Sequence, residues 1–206
     1  MFIKWIVCNV IPGETSLFSK CQEDWNALRY VGGFRGQIGG WDVKHSRSAC
    51  IMGLWESQEA YQAFMRDFHD RIFCNSSQGE TYDSIHINLS FGRKEFFEGG
   101  KTIAQNMSKG KVLCVSKWSI KPDQNEYFLE QVFPVWRQKL CKGNGFLGGL
   151  ISQEKEKMER LLLITLWSKM KPGSIRLPEV DEGGSIVQKR EERMVLLKES
   201  WCVIPC

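Results

Sequence analysis

Residues 2–10, FIKWIVCNV, are apolar at nearly every position and predict a buried strand. The next run, 16–31, places Leu17, Cys21, Trp25 and Leu28 on one stripe of a helix. Gly32, Gly33, Gly36, Gly39 and Gly40 then surround a short second strand near 34–41, and Lys44-His45-Ser46-Arg47 reads as a hairpin loop before a third strand at 48–55. Ser57 is an N-cap candidate for a second helix, in which Ala60, Tyr61, Phe64, Met65, Phe68 and Ile72 recur at helical spacing up to the break at Cys74-Asn75. Residues 83–91 alternate, with Ile85, Ile87, Leu89 and Phe91 on one face and His86, Asn88 and Ser90 on the other. The order is βαββαβ.

The pattern then recurs. Gly33-Phe34-Arg35-Gly36 is echoed by Gly145-Phe146-Leu147-Gly148, Leu54-Trp55 by Leu166-Trp167 and Leu28 by Leu140, all at an offset of 112 residues. Trp5 and Trp118 align at 113, one residue out of step. A duplicated unit of about 100 residues explains these matches. The second copy predicts a strand at 111–120, a helix at 123–140 opened by a capping pattern at Asp123 and Glu126 and kinked at Pro134, and strands near 146–152 and 160–167. Pro172, Gly173, Pro178, Gly183 and Gly184 occupy the span of the first copy's second helix, so that helix is expected to be degenerate, with at most a short helix near 185–193 before a final strand around 194–204. The expected organisation is a first repeat at 1–91, a glycine-rich linker at 92–110 and a second repeat at 111–206. Each βαββαβ repeat is ferredoxin-like and of α+β class, a four-stranded antiparallel sheet with helices on one face; the bare faces of the two copies are expected to cover each other.

Composition narrows the partners. The 28 Lys+Arg against 24 Asp+Glu leave a formal charge of +4, spread evenly, so neither nucleic acid nor a membrane surface is an expected partner. No apolar run is long enough to span a bilayer, and MFIKWIVCNVIPGE lacks a basic leader and a small-residue cleavage site, which predicts a cytoplasmic protein. The eight cysteines are scattered without a C-x-x-C pair or a nearby His pair, so buried free thiols are expected, with no metal site and no cofactor. No dinucleotide-binding glycine motif, Walker lysine, H-E-x-x-H or G-x-S-x-G is present.

The G-F-x-G segment, the strand ending in L-W-E-S before Glu59-Ala60-Tyr61, and a His in the following helix resemble the dimeric α+β barrel superfamily that contains antibiotic-biosynthesis-type monooxygenases. FIKWIVCNV with GFRGQIGGWD and FMRDFHDRIF is more narrowly similar to the uncharacterised YdbC-like family. The resemblance implies tandem ferredoxin-like repeats forming an intramolecular dimeric α+β barrel, with a ligand pocket between helices and sheet of one repeat. In the first repeat Asn9 and His69 are then the catalytic candidates, Asn9 orienting a carbonyl or phenol and His69 acting as base. Trp25, Phe64, Phe68 and His86 are the expected ligand-binding residues; the second repeat contains no His. Three readings stay open: a protein that binds a small aromatic or apolar molecule and acts on it as a cofactor-independent monooxygenase; a non-catalytic ligand-binding or stress-response protein; and a heme-binding protein. His69 has a competing role as a solvated residue on a charged helical face, and the expected assembly is a monomer or weak homodimer.

Overall fold

The computed structural model describes residues 1–97, 100–169 and 186–206. Its strands are β1 (Phe2–Val10), β2 (Phe34–Asp42), β3 (Ser48–Trp55), β4 (Tyr82–Phe96), β5 (Val112–Ile120), β6 (Phe146–Glu154), β7 (Arg160–Trp167) and β8 (Val187–Leu197). The α-helices are α1 (Thr15–Glu23), α2 (Gln58–Phe64), α3 (Asp70–Ser76), α4 (Ile103–Asn106), α5 (Asn125–Tyr127) and α6 (Phe133–Cys141). The class is α+β, and the pairs β1–β3, β2–β3, β2–β8, β5–β7 and β6–β7 are antiparallel. The chain divides into two units, one of residues 1–90 with 195–206 and one of residues 91–194. No helix among the described residues is long and apolar enough to cross a membrane.

In the first unit β3 lies between β1 and β2, and Val195, Leu196 and Leu197 of β8 pair along β2. Side chains on alternate positions of β1 face the helices: Phe2, Cys8 and Val10 join the clusters built with Trp25, Phe64 and Phe18. Complete burial of side chains this large contributes roughly 1.5–3 kcal/mol each, so these clusters fix the helices on the sheet. The Ser57 cap expected from sequence forms, its hydroxyl accepting from Ala60 N–H at 3.2 Å. In the first helix Phe18 is buried while Leu17 stays 46% exposed, because α1 gives way to a tighter 3-10 turn over Asp24–Tyr30 that rotates the stripe by a residue.

The second unit repeats this local plan. Trp55 is opposite both Phe2 and Phe34, and Trp167 is opposite both Val112 and Phe146. Both second strands shift register just after their G-F pair, between Phe34 and Gly36 and between Phe146 and Gly148. Glu56 N–H donates to Gly33 O, and Ser168 N–H to Gly145 O, both at 2.8 Å. Gly33 and Gly145 have φ of +73° and +88°, and a Cβ on Gly33 would lie 2.5 Å from that of Ala60. Only glycine fits that turn without strain, which is why the G-F-x-G echo is visible in the sequence.

The tryptophan echo has a different origin. Trp5 is opposite Met52, whereas Trp118 is opposite Leu161, the counterpart of Ala49, and Ala49 is the partner of Cys8. The first strands therefore correspond at an offset of 110, not 113: Trp118 stands where the first unit has Cys8, and Trp5 where the second has Val115. A three-residue slip would turn every side chain to the opposite face, so the ladder, not residue identity, sets the match.

Other expectations change in detail. Asp123 has φ +61° and caps nothing; α5 follows Gln124 without a side-chain cap. The expected 123–140 helix is α5, a π turn over Phe128–Val132, and α6, with Pro134 in the first turn of α6, where its missing N–H costs little. The short helix expected near 185–193 is not formed over 187–193: β8 covers Val187–Leu197, its last three residues pairing along β2, and a 3-10 turn over Glu199–Trp201 replaces the end of the expected last strand. The degenerate-helix span with Pro172 and Gly183 lies outside the described residues. Within 92–110, read from sequence as a linker, Phe96, Ile103 and Met107 are buried and Thr102 with Gln105 forms a capping box on α4. The cysteines are free, three of them buried and Cys74 and Cys206 exposed.

Candidate functional site

A cavity of about 290 Å³ opens inside the first unit, between the helix-facing side of its sheet and the helical layer. Trp25, Leu28, Phe34, Trp55, Phe64 and Phe73 form much of its wall, and Ile85 and Ile87 of β4 form its lip, 41% and 47% exposed. The strand alternation expected of 83–91 is thus present, but its apolar face borders an opening rather than a sealed core.

His69 lines this cavity. A regular helix would turn Phe68 inward four residues after Phe64, yet Met65–His69 forms a π turn, which closes i to i+5 and adds one residue to the turn. The rotation exchanges the two: Phe68 is 36% exposed, while the His69 ring stacks on Phe73 with centroids 5.8 Å apart, meets the Phe64 edge at 5.7 Å and lies 5.6 Å from Trp25. Its Nδ1 is 2.9 Å from Asp70 Oδ1, and its side chain is 19% exposed. A histidine fully solvated on a charged helix face is therefore not what the fold builds. Trp25 is held by its indole N–H donating to Gln78 Oε1 at 2.8 Å, and Gln78 Nε2 donates in turn to Gln22 Oε1 at 2.8 Å.

The remaining sequence candidates are elsewhere. Asn9 belongs to the opposite parity of β1 from the cavity residues Lys4, Ile6 and Cys8, so it faces away from the helices. Its amide donates to Ser84 Oγ at 2.8 Å and its carbonyl accepts from Ser48 Oγ at 3.3 Å. Phe68 borders a separate surface depression with Tyr30 and Arg71. His86 is exposed on β4 between the two lip isoleucines and is not part of the cavity wall. The structure brings Trp25, Phe64 and His69 together and leaves Asn9, Phe68 and His86 outside.

Sequence reasoning missed the polar floor. Lys4, Gly53 and Gln37 form one row across β1, β3 and β2, Lys4 opposite Gly53 and Gly53 opposite Gln37. All three line the cavity. Lys4 is 8% exposed, and burial lowers its pKa from 10.5 to about 8, with Cys8 opposing the fall. The Lys4 ammonium lies over the Tyr61 ring, 5.6 Å from its centroid. Burial likewise pushes the Cys8 thiol up to about 12 and raises the phenol of Tyr61. A lysine at inward parity in an otherwise apolar strand, between Phe2 and Ile6, was the available signal.

Residues 2–90 match the family described as a domain of unknown function (DUF4937). Over 98 residues, 47% of this chain and 82% of its relative, the sequence is 35% identical to the uncharacterized protein YdbC of Bacillus subtilis. A crystal structure from Lactobacillus acidophilus, of a protein named "putative monooxygenase", superposes with a TM-score of 0.72 at 10% identity, covering 98% of this chain and 95% of that one. An anthrone oxidase-like protein superposes with a TM-score of 0.64 at 10% identity, covering 96% and 91%. At these identities the likeness is one of fold.

Proposed function

The chain belongs to the YdbC-like family, and from that premise we propose that its first unit binds a small, flat, apolar or aromatic molecule in the cavity, with His69 as the group that takes a proton from it. One observation carries this reading: a roughly 290 Å³ cavity walled by aromatic rings, with an imidazole on the wall. The matched registers, bulges and glycine turns of the two units support reading them as tandem ferredoxin-like repeats of the dimeric α+β barrel type.

The chemistry follows from the wall. An aromatic ligand stacked among Trp25, Phe64 and Phe73 is desolvated, and a phenol or an acidic C–H next to a ring would find His69 within the same space. Removing that proton leaves an electron-rich carbanion or phenolate, the species that reacts with dioxygen in a cofactor-independent monooxygenase. Asn9 has no part in this scheme, since its amide is engaged by Ser48 and Ser84 on the other face.

The test uses anthrone, taken from the name of the fold neighbour. Binding is followed by tryptophan fluorescence and turnover by oxygen uptake, for the intact protein and for His69→Ala. We expect anthrone to bind, oxygen uptake to fall at least about tenfold in the variant, and melting temperature to move by only a few degrees. Binding without oxygen uptake in either protein assigns the cavity to non-catalytic ligand binding. Absence of binding by anthrone and by other fused-ring compounds removes the ligand-site reading.

A further inference from the structure

Resting on that ligand-site reading, we infer that the occupant carries an acidic oxygen on its apolar body, and that this oxygen sits over Gly53, between Lys4 and Gln37. The row is built as a receptor for negative charge. Lys4 and Gln37 are 8% and 6% exposed, and the Gln37 Nε2 is buried without a hydrogen-bond partner. Lys4 has the Tyr61 ring as its cation–π contact and neither an ion pair nor a hydrogen bond among the described residues. No Asp or Glu is among the residues lining the cavity. Burying an ammonium costs free energy unless an opposite charge accompanies it, and the described residues lining this cavity supply none.

Space for that charge is present. Gly53 separates the two side chains on the middle strand, and a Cβ placed there would meet only Trp55 Nε1, at 3.6 Å. The Trp55 indole N–H thus borders the space over Gly53, on the strand that separates Lys4 from Gln37. A carboxylate or phenolate oxygen there would give the Lys4 ammonium its missing opposite charge and the Gln37 amide an acceptor, and charge-assisted bonds of this kind are the stronger class. The fold does not require this row: the corresponding positions of the second unit are Cys114, Thr165 and Gly149.

Three naphthalene probes separate the alternatives: naphthoate, the neutral naphthamide, and naphthol, each titrated at pH 7 into the full-length protein and into Lys4→Met, Gln37→Leu and Gly53→Thr, with folding checked by thermal melting. We expect naphthoate to bind about tenfold or more tighter than naphthamide, and Lys4→Met to abolish that preference while changing naphthamide affinity by less than about threefold. Gln37→Leu should narrow the preference, which keeps the test intact if Lys4→Met folds poorly, and Gly53→Thr should weaken all three probes. Tighter binding of naphthol with proton release, in preference to naphthoate, identifies the phenolate as the acidic oxygen. Equal affinity for naphthoate and naphthamide, or a preference that survives both Lys4→Met and Gln37→Leu, overturns the inference and leaves the cavity as a neutral aromatic site. If no probe binds, the ligand-site reading falls and takes the inference with it.

Discussion

The two units treat the same place in their sheets in opposite ways. In the first, Lys4, Gly53 and Gln37 surround an opening; in the second, the corresponding Cys114, Thr165 and Gly149 lie under a filled core. A Cβ on Gly149 would be 2.3 Å from the Phe96 ring, which packs on Phe133 and Phe146 with centroids 5.1 and 5.7 Å away. The Trp167 indole N–H has an acceptor, Thr165 Oγ1 at 3.0 Å, where Trp55 has Gly53. Trp118, fully buried, stands where the first unit has Cys8. One backbone plan thus supports both a packed interior and a cavity, and the choice is made by four or five side chains.

The largest effect should come from emptying the filled unit. Phe96→Ala removes a ring that is 2% exposed and contacts two other aromatics, and should cost about 3–5 kcal/mol in urea unfolding. A loss below about 1 kcal/mol would mean that the second core closes over the gap by itself, and Phe96 would not be what distinguishes the units.

A smaller effect of opposite sign is expected in the first unit. Lys4 has its folded-state pKa lowered from 10.5 to about 8, chiefly by burial. Below pH 8 the lysine is charged in both states and the folded protein bears the whole desolvation cost, on the order of 3 kcal/mol. Between pH 8 and 10.5 the folded protein releases the proton while the unfolded chain keeps it, so the wild type gains stability relative to a variant without the lysine. Lys4→Met should accordingly stabilise the free protein by about 1–3 kcal/mol at pH 7, after allowance for the lost contact with Tyr61, and the advantage should shrink as pH rises through 8 toward 10.5. Tyr61 and Tyr82 share the cavity and are common to both proteins, while Cys8, which is coupled to Lys4, is held up to about 12, above this window. A destabilised Lys4→Met at pH 7, or an advantage independent of pH, would show that Lys4 contributes packing rather than a retained, unpaired charge.

The sequence made the matched local plan of the two units legible and the difference between them nearly invisible. Gly33 and Gly145 announce themselves because a positive φ and a close approach admit little else, and Trp55 and Trp167 because both close a strand at the same point of the ladder. The cavity depends on subtler things. Inward parity assigns Lys4 to the site and Asn9 to the other face, which could have been counted from FIKWIVCNV, but polarity near the strand end drew attention to Asn9 instead. His69 could not be placed by a 3.6-residue period, since a single π turn moves it inward and Phe68 outward. Phe96 could not be recognised as core while 92–110 read as a glycine-rich linker, because its burial depends on β6 and α6 contacts remote in sequence.

The finest test asks whether the opening at Gly53 is real space, using the smallest possible side chain. Gly53 has no positive φ and no neighbour closer than 3.6 Å to an added Cβ, so Gly53→Ala should be neutral or stabilising by up to about 1 kcal/mol, through the reduced freedom of the unfolded chain. Gly149→Ala makes the same chemical change at the equivalent place, but its methyl group would be driven into the Phe96 ring, and the overpacking should cost about 1–3 kcal/mol. The pair carries more information than either alone, because strand propensity and unfolded-state entropy are nearly common to both and the difference isolates local room. If chemical denaturation gives equal losses for the two alanines, the first unit's floor is as tightly filled as the second's, and the contrast between an open row and a plugged one disappears. If Gly53→Ala is tolerated and Gly149→Ala is not, the glycine in β3 is there for what it leaves uncovered.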